Sequence, residues 1–121
     1  MVALDNRQGN IVAYIPEQGD IVWLNFDPSS GKEIMKRRPA YVLSRRAFNE
    51  HTGLALIAPI TSTIRGIKLE VGLPQGLQTK GSIVVYQLKS LDFNERDIKF
   101  IESLKESDIK KIKQLASLLI A

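Results

Sequence analysis

The sequence predicts a mainly β protein: a small antiparallel barrel or sandwich, with a short inserted helical turn and a C-terminal helix. Three observations point there. The apolar runs are short and of strand length, Gly and Pro punctuate them at regular spacing, and only the C-terminal segment changes to a helical period.

The elements follow in order. After a polar N-terminal arm (residues 1–12), Gly19 to Phe26 (GDIVWLNF) alternates like a half-buried strand, and DPSSG ends it with turn residues. Ala40 to Ser44 and Leu54 to Ile60 are apolar runs. RRAFNEHTG between them has the length of a helical turn closed by Gly53. Lys68 to Val71 and Ser82 to Lys89 (SIVVYQLK) complete a set of at least five strands. On the last of these, Gln87 and Lys89 would face the same way. Trp23 is expected in the core or in a seam between chains, and His51 in a turn. Ile109, Ile112, Leu115, Ala116, Leu119 and Ile120 then recur at helical spacing behind Ser107, the expected N-cap, with Lys110, Lys111 and Lys113 off the stripe. Such a helix would pack on the barrel or on a partner chain. All 121 residues are expected to form one domain.

Composition narrows the chemistry. The absence of cysteine removes disulfides, thiolate metal sites and a cysteine nucleophile, and a single histidine argues against a histidine metal site or a Ser-His-Asp triad. The first twenty residues are too polar for a signal peptide and no apolar run reaches membrane-spanning length, so the cytoplasm is the expected location. The net charge of +4 is unevenly spread. Lys32 to Arg46 holds six basic residues against one acid, whereas the remainder holds eleven basic against twelve acidic. A cluster of that kind is suited to a polyanion.

The cluster, GKEIMKRRPAYVLS, sets one carboxylate, Glu33, beside Lys36, Arg37 and Arg38 at the start of an apolar run. Arginine is always charged and its planar fork of donors matches phosphate oxygens. A carboxylate can take a proton from a hydroxyl. RNA brings its own nucleophile, the 2′-hydroxyl, so Glu33 and Arg38 form a minimal set for its cleavage without a metal or cofactor.

These residues carry a resemblance. GDIVWLNFDPSSGKEIMKRRPAYVLS resembles the opening of the MazF/PemK family of bacterial toxin endoribonucleases: a Gly-Asp strand, a loop with a Gly-x-Glu element, then Arg-Pro and an apolar run. FNEHTGLALIAPITS is similar to the family's helical turn, third strand and Pro-x-Thr end, and VVYQLKSL to its later strand with a Gln and a basic residue. The likeness runs from about Tyr14 to Ile120. It implies a Src-homology-3-like barrel with a C-terminal helix, a homodimer, and metal-independent cleavage of single-stranded RNA to 2′,3′-cyclic phosphate and 5′-hydroxyl ends. It also implies an acidic antitoxin protein as partner. By position, Arg38 matches the family's catalytic arginine, Glu33 an acid used in acid–base catalysis, and Thr61 a threonine used beside the arginine. Lys36, Arg37, Ser62, Gln87 and Lys89 would bind RNA. An arginine is a poor general acid, its pKa exceeding about 12, so Arg38 receives the transition-state charge and the acid stays unassigned.

The chain departs from the family pattern in the loop, with Ile34 where relatives often have Gln and Lys36-Arg37 where Gly precedes Arg-Pro. Lysine lacks glycine's backbone freedom. Two further functions are compatible with the same barrel: a toxin that poisons DNA gyrase in the manner of CcdB, and a non-catalytic barrel that binds nucleic acid or peptide. Neither needs the set Glu33, Arg38 and Thr61.

Overall fold

Strand β3 (Asp20–Asn25) shows how the barrel is made. Its side chains alternate between two faces, and each face meets a different apolar cluster. In the computed structural model, which describes residues 3–5, 10–12, 14–63, 66 and 69–121, β3 pairs antiparallel with β4 (Arg37–Val42), and β4 pairs with β5 (Leu54–Thr61). β6 (Glu70–Gly72), β7 (Ser82–Val84), β8 (Lys89–Asp92) and β9 (Lys99–Ser103) complete a seven-stranded antiparallel sheet. Its order is β6-β7-β5-β4-β3-β9, with β8 also paired to β5.

The register sorts the core. Ile21, Tyr41 and Ala58 stand side by side across three strands and belong to a first cluster with Ile60, Ile83, Val85 and Leu104. The neighbouring rows, Val22 beside Ala40 and Val42 beside Ile57, belong to a second cluster with Leu24, Phe26, Ala55, Leu91 and Phe93. Burying each such side chain contributes about 1.5–3 kcal/mol against leaving it in water.

Two helices complete the frame. α1 (Arg46–Thr52) ends on Gly53, whose φ of 73° is the left-handed C-terminal conformation that glycine adopts without strain. The one fully buried residue of α1, Asn49, is satisfied by Ser44 and by the Pro16 carbonyl, which its amide reaches at 2.8 Å. α2 (Glu106–Ser117) lays Ile109 and Ile112 into the first cluster, while Lys110, Lys111 and Lys113 face water. Glu106 and Asp108 sit in its first turn, where negative charge complements the helix dipole.

The structure matches the expected mainly β class and corrects it in detail. The N-cap of α2 is Lys105, not Ser107, which lies inside the helix. Trp23 is 40% exposed and outside the core. Ser82 to Lys89 is not one strand: a 3-10 turn (Val85–Gln87) divides β7 from β8. The expected Lys68–Val71 strand begins at Glu70 as β6, and Lys68 lies outside the described residues. β9 was not expected, nor was a separate hairpin of β1 (Ala3–Asp5) and β2 (Asn10–Val12) in the N-terminal arm. No helix among the described residues is long and apolar enough to cross a membrane.

Candidate active site

Strand register places the candidate residues. Ala40 stands opposite Pro59. Arg38, two residues before Ala40 on β4, and Thr61, two residues after Pro59 on β5, alternate onto the face that Ala40 and Val42 share with the second cluster. Lys89 pairs with Ile57, and Ser82 with Thr61, so both belong to that face too. Arg38, Thr61, Ser82 and Lys89 therefore share one face of the sheet.

The 3-10 turn is what brings Lys89 there. From Ser82 to Lys89 the chain takes seven steps, while its partners on β5, Thr61 to Ile57, span four. The turn absorbs the difference of three, an odd number, and so reverses which residues face the second cluster. An unbroken strand would have turned Lys89 the other way.

The loop between β3 and β4 meets this face at Lys89. Its base is closed by the Phe26 amide donating to the Lys36 carbonyl at 3.0 Å, and the Lys36 amide donates to Asp27 Oδ1 at 2.8 Å. Lys36 has a φ of 73°. The lysine thus adopts the left-handed conformation that suits a glycine, and the departure from the family pattern preserves such a turn at a cost of about 1–2 kcal/mol. Ile34 is buried and anchors the loop. Glu33 Oε1 pairs with Lys89 Nζ, and Glu33 Oε2 accepts from the amide and hydroxyl of Ser30, both at 3.3 Å. Gln87 is engaged with the same loop: its Oε1 accepts from the Ile34 amide at 2.8 Å and its Nε2 donates to the Lys32 carbonyl at 3.2 Å.

The remaining candidates fall around this centre. Arg38 is half-buried, and its Nε donates to the Met35 carbonyl at 2.8 Å, which steadies the guanidinium at the strand entrance. Thr61 is buried; its Oγ1 accepts from the Thr63 amide at 3.2 Å, and the hydroxyl retains a proton to donate. Lys36 is exposed in the loop, and Arg37, also exposed, alternates to the opposite face of β4 from Arg38, where its Nη1 donates to the Asp97 carbonyl at 2.7 Å. Ser62 is exposed at the end of β5. Trp23 and His51 lie elsewhere, Trp23 in a cleft with Pro39 and Lys80, and His51 on α1 beside Arg46 and Glu50.

Three contributors were missed from sequence. Asp27 fixes the Lys36 turn. Ser82 is the strand partner of Thr61. Gly81 has a φ of 122°, and a Cβ there would lie 2.3 Å from the Thr61 carbonyl oxygen, so the chain passes directly behind Thr61 only because the residue is glycine. Burial first, and then Asp20, pushes the Tyr14 hydroxyl far above the usual phenol value, and burial followed by Asp108 does the same to Tyr41. Tyr14 and Asp20 form a structural staple with Ser103, whose hydroxyl reaches Asp20 Oδ1 at 2.7 Å.

Comparison with known proteins shows the family. Residues 17–120 match the family of PemK-like, MazF-like toxins of type II toxin–antitoxin systems. The chain belongs to this family. It is 34% identical over 107 residues to the endoribonuclease toxin MazF of Escherichia coli, covering 88% of this chain and 96% of the relative. Among solved structures it is similar to MazF of Deinococcus radiodurans, with a TM-score of 0.84 and 35% identity over 89% of this chain and 98% of that one. It is also similar to a chain of the MazE–MazF complex of the same organism, with a TM-score of 0.77 and 32% identity over 90% and 98%. The curated MazF/PemK relatives are named as endoribonucleases, which favours a nuclease over the gyrase poison and the non-catalytic barrel.

Proposed function

We propose that this MazF/PemK-family toxin cleaves single-stranded RNA by attack of a 2′-hydroxyl on the adjacent phosphorus, without a metal or cofactor. The observation that carries this reading is the face shared by Arg38, Thr61 and Lys89, with Lys89 paired to Glu33 of the neighbouring loop. Arg38 stabilises the charge that grows on the phosphorane oxygens, an effect typically worth 10²–10³-fold when one such donor is removed. Glu33, its carboxylate held by Lys89, accepts the 2′-hydroxyl proton. Thr61 donates a hydrogen bond to a phosphate oxygen. The bond from phosphorus to the 5′-oxygen breaks and that oxygen takes a proton from water, giving a 2′,3′-cyclic phosphate and a 5′-hydroxyl.

Lys36 and Arg37 supply the exposed charge that draws the RNA backbone, and Ser62 extends the contact at the end of β5. Lys89 remains part exposed beside Glu33 and is placed to share a phosphate. The acting unit is a homodimer, and an apolar groove of about 370 Å³ supports it. Leu43, Leu56, Leu88, Leu119 and Ile120 line this groove, and Ile120 is 92% exposed. The MazE–MazF complex supports an antitoxin partner for this chain as well. An acidic tail that orders over the loop would place carboxylates where RNA phosphates lie.

The test is direct. Purified protein incubated with single-stranded RNA in EDTA should yield fragments whose 5′ ends accept label from a kinase without phosphatase treatment. Intact RNA, or 5′-phosphate ends, would refute the reaction.

A further inference from the structure

We infer that Gln87 is a positioning residue that acts through Glu33; this rests on the reading of Glu33 as the proton acceptor. Its amide reaches the loop on both sides of that residue. The carbonyl oxygen takes the Ile34 amide hydrogen at 2.8 Å, and the amino group gives to the Lys32 carbonyl at 3.2 Å. Only a primary amide of this length does both, because it carries an acceptor and a donor on one planar group. The two bonds span the backbone of Glu33 and fix the origin of its side chain.

The same stretch of chain also holds the far end of that side chain. Lys89, two residues on, pairs with Glu33 Oε1. Gln87 closes the 3-10 turn and Lys89 opens β8. The turn that re-phases the strand therefore delivers both grips together, one on the backbone of the loop and one on the carboxylate. Ile34 is buried alongside and the loop base is closed by Phe26 and Asp27, so a loop released from Gln87 would remain attached and lose the setting of Glu33 rather than unfold. The Gln87 amide already makes two bonds to the loop, so its part in the reaction is to hold the acid still while Lys36, Arg37 and Lys89 meet the RNA. Catalysis is sensitive to such support, since displacement of a reacting group by about 1 Å can cost ~10²-fold.

A double-mutant cycle tests this with single-turnover cleavage of a short single-stranded RNA. Gln87→Ala should lower kcat by about 10- to 100-fold with KM little changed, and thermal unfolding should confirm a folded protein. Gln87→Glu, which keeps the acceptor but not the donor, should fall between Gln87→Ala and the unsubstituted chain. In a Glu33→Gln background, Gln87→Ala should add almost nothing, because the group it positions is already gone. Hydrogen exchange at the Ile34 amide should speed up in Gln87→Ala. If Glu33→Gln is slow and Gln87→Ala lowers the rate by the same factor with or without it, or raises KM alone, Gln87 contacts RNA directly and the positioning role is wrong. If Glu33→Gln retains the full rate, the reading of Glu33 fails, and the role of Gln87 falls with it.

Discussion

The two sides of the barrel are built from the same strands and carry opposite chemistry. On the side of the first cluster, Ile21, Tyr41 and Ala58 lead to a helix that adds Ile109 and Ile112 and then to an open apolar groove. On the side of the second, Val22, Ala40 and Ile57 lead to Arg38, Thr61 and Lys89, under a loop tied down by hydrogen bonds and an ion pair. Strand alternation separates the two, one residue at a time. The apolar side is held by packing and should respond to lost volume. The loop over the second cluster is held by a few directional contacts and should respond to lost geometry and charge.

That contrast can be broken first on the side of the first cluster. Ile112→Ala removes a buried side chain from the first cluster and should destabilise the protein by about 2–5 kcal/mol, read from denaturant unfolding and largely independent of salt. A loss below about 0.5 kcal/mol would mean that α2 is not a packed part of the barrel. Next, Gly81→Ala forces a Cβ towards the Thr61 carbonyl at a positive φ. It should cost about 1–3 kcal/mol and slow RNA cleavage as well, an effect Ile112→Ala should not share per folded molecule. Smaller, and of opposite sign, Lys36→Gly relieves the left-handed turn and should stabilise the fold by about 1 kcal/mol, while weakening RNA binding.

Charge sharpens the comparison without touching stability. Replacing Lys36 and Arg37 by Gln should flatten the plot of log affinity against log salt by roughly one unit. Replacing Lys110 and Lys111, exposed on α2, should leave that slope unchanged. Equal flattening from both pairs would put the RNA surface on the wrong side of the barrel.

Much of the fold was legible because its strands obey a simple period. β3, β4 and β5 alternate or run apolar, Gly53 marks the end of α1, and the stripe of α2 is plain. β9 was hidden because none of its five residues is fully buried, so KFIES shows no apolar face. The break in SIVVYQLK was hidden for the opposite reason: an unbroken apolar run gives no sign of a turn. Of the site, the residue types were legible and their grouping was not. Glu33 and Lys89 are 56 residues apart and Gln87 and Ile34 are 53 apart, and a register shift of three decides whether they meet. Nor could sequence show that Lys36 adopts a glycine-like turn, since the surrounding hydrogen bonds to Asp27 and Phe26 impose it.

The measurement that tests the central claim most directly compares the unsubstituted chain with Arg38→Ala. Single-stranded RNA is presented in EDTA under single-turnover conditions, with folding verified by thermal unfolding. The face shared by Arg38, Thr61 and Lys89 is the catalytic centre if the folded Arg38→Ala protein cleaves at least ~10²-fold more slowly while still binding the RNA. A folded Arg38→Ala protein that cleaves at the full rate would contradict it and move the chemistry to another part of the molecule.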